Sequence, residues 1–354
     1  MIEKVSNSIK RFTIFSSVTL ALTLLIFLSL SCNNHFSTIP TIQQPQTANS
    51  SSPPLFEHRI AEFLHQSGRA CDPQFFMTWI NSSAEQFSTR QILALETLFS
   101  SHPNACLTIL SDTLDSAIGR LILNPLTDLG YRILLISPDI QWLLSGTSAI
   151  EWLDGIHRGE INIGEIPFPQ NLSNLLRLAI LYKYGGVYLD TDFIVLRKFT
   201  GLRNSIGAQR IHGHTGKWTR LNNAVLIFDR NHPILLAFIE EFVAGFDGSK
   251  WGHNGPLLVS RVVENGGLLG NFTVLPPAAF YPVNWIKIVG LFKRPTTQAQ
   301  RSWAQRKVEE LKNGAYVVHL WNKQSAGLMI EEESVIGRLI SDHCIICHNI
   351  FNTS

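Results

Sequence analysis

The stretch NLSNLLRLAILYKYGGVYLDTDFIVL, Asn171 to Leu196, decides the fold. Leu172, Leu175, Leu176, Ala179 and Ile180 recur at helical spacing, Asn171 or Ser173 is placed to cap the start, and Gly185 supplies the left-handed backbone that ends a helix. Val187, Tyr188 and Leu189 then open an apolar strand that Phe193 to Leu196 continue, so Asp190 and Asp192 are predicted to point to one side of it. Two carboxylates on one side repel unless a cation lies between them or one is protonated. A divalent metal is the economical reason for such a pair. A bare Asp-x-Asp also arises by chance in a solvated turn, and the apolar run around this one argues against that.

Working outward, Phe75–Ile80 reads as a short strand, Gln86–Phe99 as a helix, and Ala105–Leu110 and Tyr131–Ser137 as further strands. Strands alternating with helices predict an α/β domain with a mostly parallel sheet, beginning near Glu57. In such sheets ligands bind beyond the carboxyl ends of strands, where Asp190 and Asp192 fall. Downstream, Leu221–Phe228 has polar residues leading into a buried strand, and Pro233–Phe246 is a helix opened by proline. In WGHNGPLLVSRVV, Trp251 to Val263, the cluster of Gly252, Gly255 and Pro256 forces an irregular loop before an apolar helix. Val274–Trp285 is Pro-rich and expected to be extended. Ala315–Asn322, AYVVHLWN, is a strand with a polar tip.

With 354 residues, 45% hydrophobic and 16% charged, the chain can bury a sizeable core. Its net charge of +2 and lack of a long basic run exclude a nucleic-acid partner. Phe12 to Leu30 carries no charge and follows Lys4, Lys10 and Arg11, a pattern expected of a type II membrane anchor, with a cleaved signal peptide as the alternative. Asn33 to Leu55 holds no Asp, Glu, Lys or Arg and reads as a flexible stem. The expected order is a cytosolic tail (1–11), an anchor (12–31), a stem (32–56) and a luminal domain (57–354). In an oxidising lumen Cys71, Cys106, Cys344 and Cys347 could pair in three ways, a disulfide fitting Cys344 and Cys347 better than half a zinc site. Asn49, Asn81, Asn171, Asn271 and Asn352 meet the N-glycosylation rule, although Asn171 opens the central helix.

A cation held by Asp190 and Asp192 could bind the diphosphate of a nucleotide sugar and neutralise charge on a departing phosphate. His319, at the polar tip of its strand, is the candidate third ligand, and its imidazole tilts the choice between Mg²⁺ and Mn²⁺ toward Mn²⁺. Arg177, a charge amid leucines, needs a partner: an acid on the outer face, or a phosphate or sugar hydroxyl in the site. Asn174 shares its helical face. A phosphatase of the haloacid dehalogenase type also uses an apolar strand ending in Asp-x-Asp, but places it near the domain start and needs a later acidic pair that is missing here.

The segments LSNLLRLAILYKYGGVYLDTDFIVL, LNNAVLIFDRNHP, WGHNGPLLVSRVV and LPPAAFYPVNW with VVHLWNK together resemble the α-1,4-glycosyltransferase family with a DxD sugar-binding motif. That family includes lactosylceramide 4-α-galactosyltransferase and α-1,4-N-acetylglucosaminyltransferase, and the likeness spans Phe75 to Asn322. It implies a GT-A type nucleotide-diphospho-sugar transferase fold, with 57–200 binding the nucleotide sugar and 201–354 the acceptor. It further implies a Golgi membrane enzyme that moves galactose or N-acetylglucosamine from a UDP-sugar to a glycan or glycolipid with retention, giving an α-1,4 link. The resemblance assigns metal binding to Asp190, Asp192 and His319, and donor contacts to Asn174, Arg177, Gly255 and the two acids. Catalytic roles fall to Arg177 and to Asn254 and Asn222, which would stabilise a positively charged sugar during same-face attack. Where the family commonly has Ser-Asp, this chain has Ser173-Asn174. The competing expectation is a catalytically silent relative that binds sugars or a partner enzyme.

Overall fold

In a computed structural model, residues 55–66, 71–265 and 271–352 are described. The expected tail and anchor, nearly all of the stem, Cys32 and Asn49 lie outside them. No helix of the described residues is long and apolar enough to cross a membrane.

The strands are β1 (Gln74–Thr78), β2 (Cys106–Leu110), β3 (Arg132–Ile136), β4 (Gly186–Leu189), β5 (Phe193–Val195), β6 (Ser205–Ile211), β7 (Trp218–Phe228), β8 (Thr273–Leu275) and β9 (Val317–His319). Among the described residues they form a seven-stranded sheet in the order β3-β2-β1-β4-β7-β6-β8 and a separate pair, β5-β9. The pairings β1-β2, β2-β3, β1-β4 and β6-β8 are parallel, whereas β7 runs antiparallel to both β4 and β6. The parallel half follows from the helices that join its strands. Helix α1 (Leu55–Leu64) precedes β1, α2 (Thr89–Ser101) lies between β1 and β2, and α3 (Ala117–Thr127) lies between β2 and β3. Short helices α4 (Ile140–Leu144) and α5 (Ala149–His157) lead to α6 (Phe168–Tyr184), which feeds β4. The α/β class with a mostly parallel sheet flanked by helices is therefore present.

Helix α6 and the aliphatic faces of β1, β4 and β7 meet in one buried cluster that includes Leu175, Leu176, Ala179, Tyr188 and Leu226. The other face of the sheet buries Phe75, Leu107, Val187, Val225 and Phe280. A third cluster forms around α10 (Gln298–Gly314) and α12 (Val335–Ser341), after α7 (Pro233–Ala244), α8 (Pro256–Asn265) and α9 (Pro277–Phe280) and either side of α11 (Asn322–Ser325). Glu96 on α2 ties the C-terminal loop to this body: its buried Oε2 accepts the backbone N–H groups of Ile345, Ile346 and Cys347. Disulfides join Cys71 to Cys106 and Cys344 to Cys347.

Three local expectations are corrected. Helix α6 starts at Phe168 after Pro167, so Asn171 and Ser173 lie within it rather than capping it. Proline at the first turn costs no hydrogen bond there. Gly185 ends the helix as expected, with φ 66°, and a Cβ at that position would sit 2.5 Å from the Arg230 nitrogen. The predicted single strand from Val187 to Leu196 is two strands in two sheets, β4 and β5, separated by the Asp-x-Asp turn. The Pro-rich segment after Val274 contains the short helix α9, because Pro277 opens a helical turn.

Candidate active site

Asp190 and Asp192 leave the carboxyl end of β4 in a turn, so their approach owes nothing to strand alternation. Asp190 N–H donates to the Ala224 carbonyl at 3.0 Å, which carries the ladder with β7 one step past Leu189. The chain then enters β5, where Phe193 pairs with His319 of β9 and Leu320 N–H donates to the Asp192 carbonyl. That register sets His319 Nε2 3.1 Å from Asp192 Oδ1. Ligand atoms of Asp190, Asp192 and His319 all lie within 4.8 Å of one another, as the sequence reading required.

Each acid is held differently. Asp190 accepts from the Tyr188 hydroxyl at 2.8 Å and pairs with Arg177 at 3.1 Å. Arg177 also donates to Ser173 Oγ, Ser173 and Thr78 share a hydrogen bond, and Thr78 and Tyr188 share another. The guanidinium can only donate and the carboxylate only accept, so the protons along this route run one way, Arg177 to Ser173 to Thr78 to Tyr188 to Asp190, and the direct Arg177–Asp190 pair closes the ring. Arg177, 6% exposed, further donates to the Asn223 carbonyl at 3.0 Å and lies over the Tyr188 ring at 4.5 Å. Its partner is thus the site's own acid and not an acid on the outer face. Burial pushes the Asp190 carboxyl above its ordinary range, and the charge of Asp192 adds to this against the opposing pull of Arg177. Burial would raise Asp192 too, but the neighbouring His319 and the Asn322 N–H, 2.8 Å from Oδ2, outweigh it and hold Asp192 below its ordinary value. Their surroundings thus push the two acids in opposite directions, and a cation shared between them would favour the charged form of both.

His319 stacks on Phe193 with ring centroids 4.5 Å apart and packs against Trp321 and Tyr281. Its Nδ1 and the Asn322 Oδ1 are buried without a protein hydrogen-bond partner. Two carboxylates, an imidazole and unspent buried polar atoms form an oxygen-rich donor set with one nitrogen, which fits Mg²⁺ or Mn²⁺.

The remaining candidates surround this core. Asn174 Oδ1 accepts from Asn223 Nδ2 at 2.9 Å, and a Cβ at Gly255 would lie 2.8 Å from that oxygen, so Gly255 is where the loop before α8 meets α6. Asn254 is committed within the protein: Nδ2 donates to Asn171 Oδ1 and to the Asp247 carbonyl, and Oδ1 accepts from Asp247 N–H. Asn222 donates to Gln209 and accepts from Ala224 N–H. Asn171 is buried, so the doubt about its glycosylation holds, whereas Asn81 and Asn271 are exposed. Sequence reasoning missed Tyr188, Asn223 and Asn322. Tyr188 sat in an apolar run two residues before Asp190, the one available hint.

The sequence pattern described as "Glycosyltransferase sugar-binding region containing DXD motif" matches residues 88–211, and the "Alpha 1,4-glycosyltransferase conserved region" matches residues 227–351. Lactosylceramide 4-alpha-galactosyltransferase of Rattus norvegicus is 31% identical over 81% of this chain and 74% of its own length. The chain belongs to the α-1,4-glycosyltransferase family. An uncharacterised Arabidopsis thaliana protein is also 31% identical, over 79% of this chain, and here the chain spans 43% of the relative. The crystal structure of galactosyltransferase LgtC with donor and acceptor sugar analogues aligns with this glycosyltransferase over 78% of the chain and 98% of its own, at TM-score 0.43 and 15% identity. The family's DxD motif is Asp190-Thr191-Asp192, at the end of β4 in a mostly parallel α/β sheet of the class that the sequence predicted.

Proposed function

We propose that this glycosyltransferase moves galactose or N-acetylglucosamine from a UDP-sugar to a glycan or glycolipid acceptor, with retention and an α-1,4 link. The convergence of Asp190, Asp192 and His319 carries the reading. In the reaction the bond from sugar C1 to the phosphate oxygen breaks with its electron pair leaving on UDP. The acceptor O4 forms the new bond to C1 on the same face, and its proton passes to the departing phosphate. A divalent cation, Mn²⁺ or Mg²⁺, bound by Asp190, Asp192 and His319 would neutralise charge on the leaving diphosphate.

The chain's own residues supply the rest. The one-way hydrogen-bond ring fixes Asp190, and Asn322 N–H with His319 fixes Asp192, so little reorganisation is left for the moment of reaction. Asn174 and Gly255 form the donor-side wall, the missing Cβ letting the loop before α8 close directly against the Asn174 amide. Asn222 and Asn254 act by holding β7 and the loop before α8 in place, since their amides are already engaged. Golgi membrane attachment through Phe12–Leu30 is part of the proposal. Two disulfides and the uncharged N-terminal run support it.

The test incubates the full chain with UDP-galactose or UDP-N-acetylglucosamine, Mn²⁺ and a panel of glycan acceptors, measuring UDP release and the anomeric configuration of the product. Turnover that disappears on chelation and in Asp192→Ala, with an unchanged circular dichroism spectrum, is expected. No UDP release with any pairing points instead to a silent sugar-binding relative, and full turnover in Asp192→Ala overturns the metal role.

A further inference from the structure

Between Asp192 and Asp229 the sequence contains no Asp or Glu, yet it carries Arg197, Lys198, Arg203, Arg210, Lys217 and Arg220 together with His212 and His214. The last five of these, counted in chain order without Arg203, belong to the hairpin of β6 and β7. Its tip from Ile211 to Lys217 is exposed throughout, as is Arg210, and Arg220 is half-buried. Arg210 and Arg220 face each other directly across the ladder, an arrangement of like charges that costs stability. Among the described residues none of Arg210, Lys217 and Arg220 has an acidic partner, whereas Arg203 at the far end of β6 pairs with Asp229. Trp218, half-buried, and the exposed Ile211 pair beside them. A hairpin that concentrates unpaired cations around an aromatic ring at a cost to its own stability is matched to an anion.

Its position says which anion. Strand β7 passes Asp190 at Ala224, and from there back to Trp218 it continues beyond the end of β4 by about 20 Å at the usual strand rise. The basic tip therefore projects from the same edge of the sheet as the carboxylates. Arg220 lies two positions from Asn222, on the same face of the strand, and Asn222 is bonded to Gln209 at the base of the arm. A ligand that spans from the carboxylates to the tip is extended and polar. The apolar side chains here, Ile211 and Trp218, are a single pair at the base of the turn, and the residues between them, His212 to Lys217, carry no apolar side chain to insert into a bilayer, so a saccharide fits better than a lipid surface.

We infer that the β6-β7 hairpin is an acceptor subsite for an anionic glycan, a uronate- or otherwise acid-bearing oligosaccharide, with Arg210, Lys217 and Arg220 pairing its charge and Trp218 offering a ring to a sugar face. This rests on the transferase reading above, and it narrows the acceptor to an acidic class. Rim charges of this kind act mainly on binding and on its salt dependence.

Two measurements on the full chain test it. Calorimetry compares a uronate-containing oligosaccharide with the same oligosaccharide after reduction of its carboxyl groups, and UDP release compares the two as acceptors. Tighter binding and a KM about tenfold lower for the acidic one, lost in 0.5 M salt, are expected. R210E/K217E/R220E should raise that KM about tenfold and leave kcat and the donor KM unchanged, and R210Q/K217Q/R220Q, which adds no repulsion, should do so partly. Equal binding of both oligosaccharides overturns the inference even where turnover is normal. Failure of the transferase reading shows separately, as absence of UDP release while the calorimetric preference persists. Anionic phospholipid vesicles that slow hydrogen exchange of residues 209–220, where the acidic oligosaccharide does not, would assign the arm to a lipid surface and overturn it too.

Discussion

Replacing Arg177 by Met removes the guanidinium that pairs with Asp190 while roughly filling its space. Breaking a buried ion pair by deleting one partner costs about 3–5 kcal/mol, because the other charge stays behind. Asp190 keeps 27% of its side chain exposed, so water recovers part of that. Loss of the donor to the Asn223 carbonyl and of the contact over Tyr188 adds to the cost. A net destabilisation of about 3 kcal/mol follows, read by equilibrium urea unfolding at pH 7. The decisive comparison is a double-mutant cycle. Asp190→Asn alone leaves the cation unpaired, and Arg177→Met with Asp190→Asn removes both charges, so the double variant should be more stable than the sum of the singles by about 2 kcal/mol. Donor turnover should fall in all three. A coupling energy within about 0.5 kcal/mol of zero would refute the claim that Arg177 compensates Asp190, and with it the closed ring of donors.

Gly255→Ala drives a Cβ to within 2.8 Å of an Asn174 oxygen that Asn223 holds in place, so it should cost about 1–3 kcal/mol and raise the donor KM, measured by unfolding and by UDP release. His102 is buried and its Nε2 accepts from Phe199 N–H, which keeps that nitrogen unprotonated; burial lowers its pKa from 6.5 to about 4. The unfolded chain binds a proton below 6.5 that the folded one refuses, so this contribution is full above that pH and lost as pH falls toward 4. The loss amounts to about 2 kcal/mol by pH 5, and the His102→Gln variant should show less of the fall between pH 7 and 5. The Cys71–Cys106 bond closes a separation of 35 residues and Cys344–Cys347 one of 3. Chain entropy therefore assigns about 4 kcal/mol to the first and about 2 to the second, and single Cys→Ser replacements followed by thermal unfolding should rank them in that order.

The three strands and the first helix between Phe75 and Ser137 were legible because each carries its own periodicity or turn residues, and β1, β2 and β3 appear within a residue or two of expectation, whereas α3 was not read. His319 was legible as the polar end of an apolar strand. What the sequence hid was the change of sheet between Leu189 and Phe193. Apolar residues on both sides of the acids look like one strand whether or not the chain crosses from one sheet to another, and only the pairing of β5 with β9 tells the two apart. The start of α6 was misplaced for a similar reason, since Asn171 has a capping residue's chemistry but is spent on Asn254. Tyr188, Asn223 and Asn322 were invisible because two of them act partly through backbone groups, and a phenol in an apolar strand reads as core.

The imidazole that completes the carboxylate cluster lies 127 residues downstream of Asp192. During synthesis the acids and Arg177 emerge long before their third companion, and β5 has no strand to pair with until β9 arrives. On the proposed role of this cluster, affinity for a cation would be withheld from nascent and C-terminally clipped chains, and metal loading would double as a report that the last third of the polypeptide has docked.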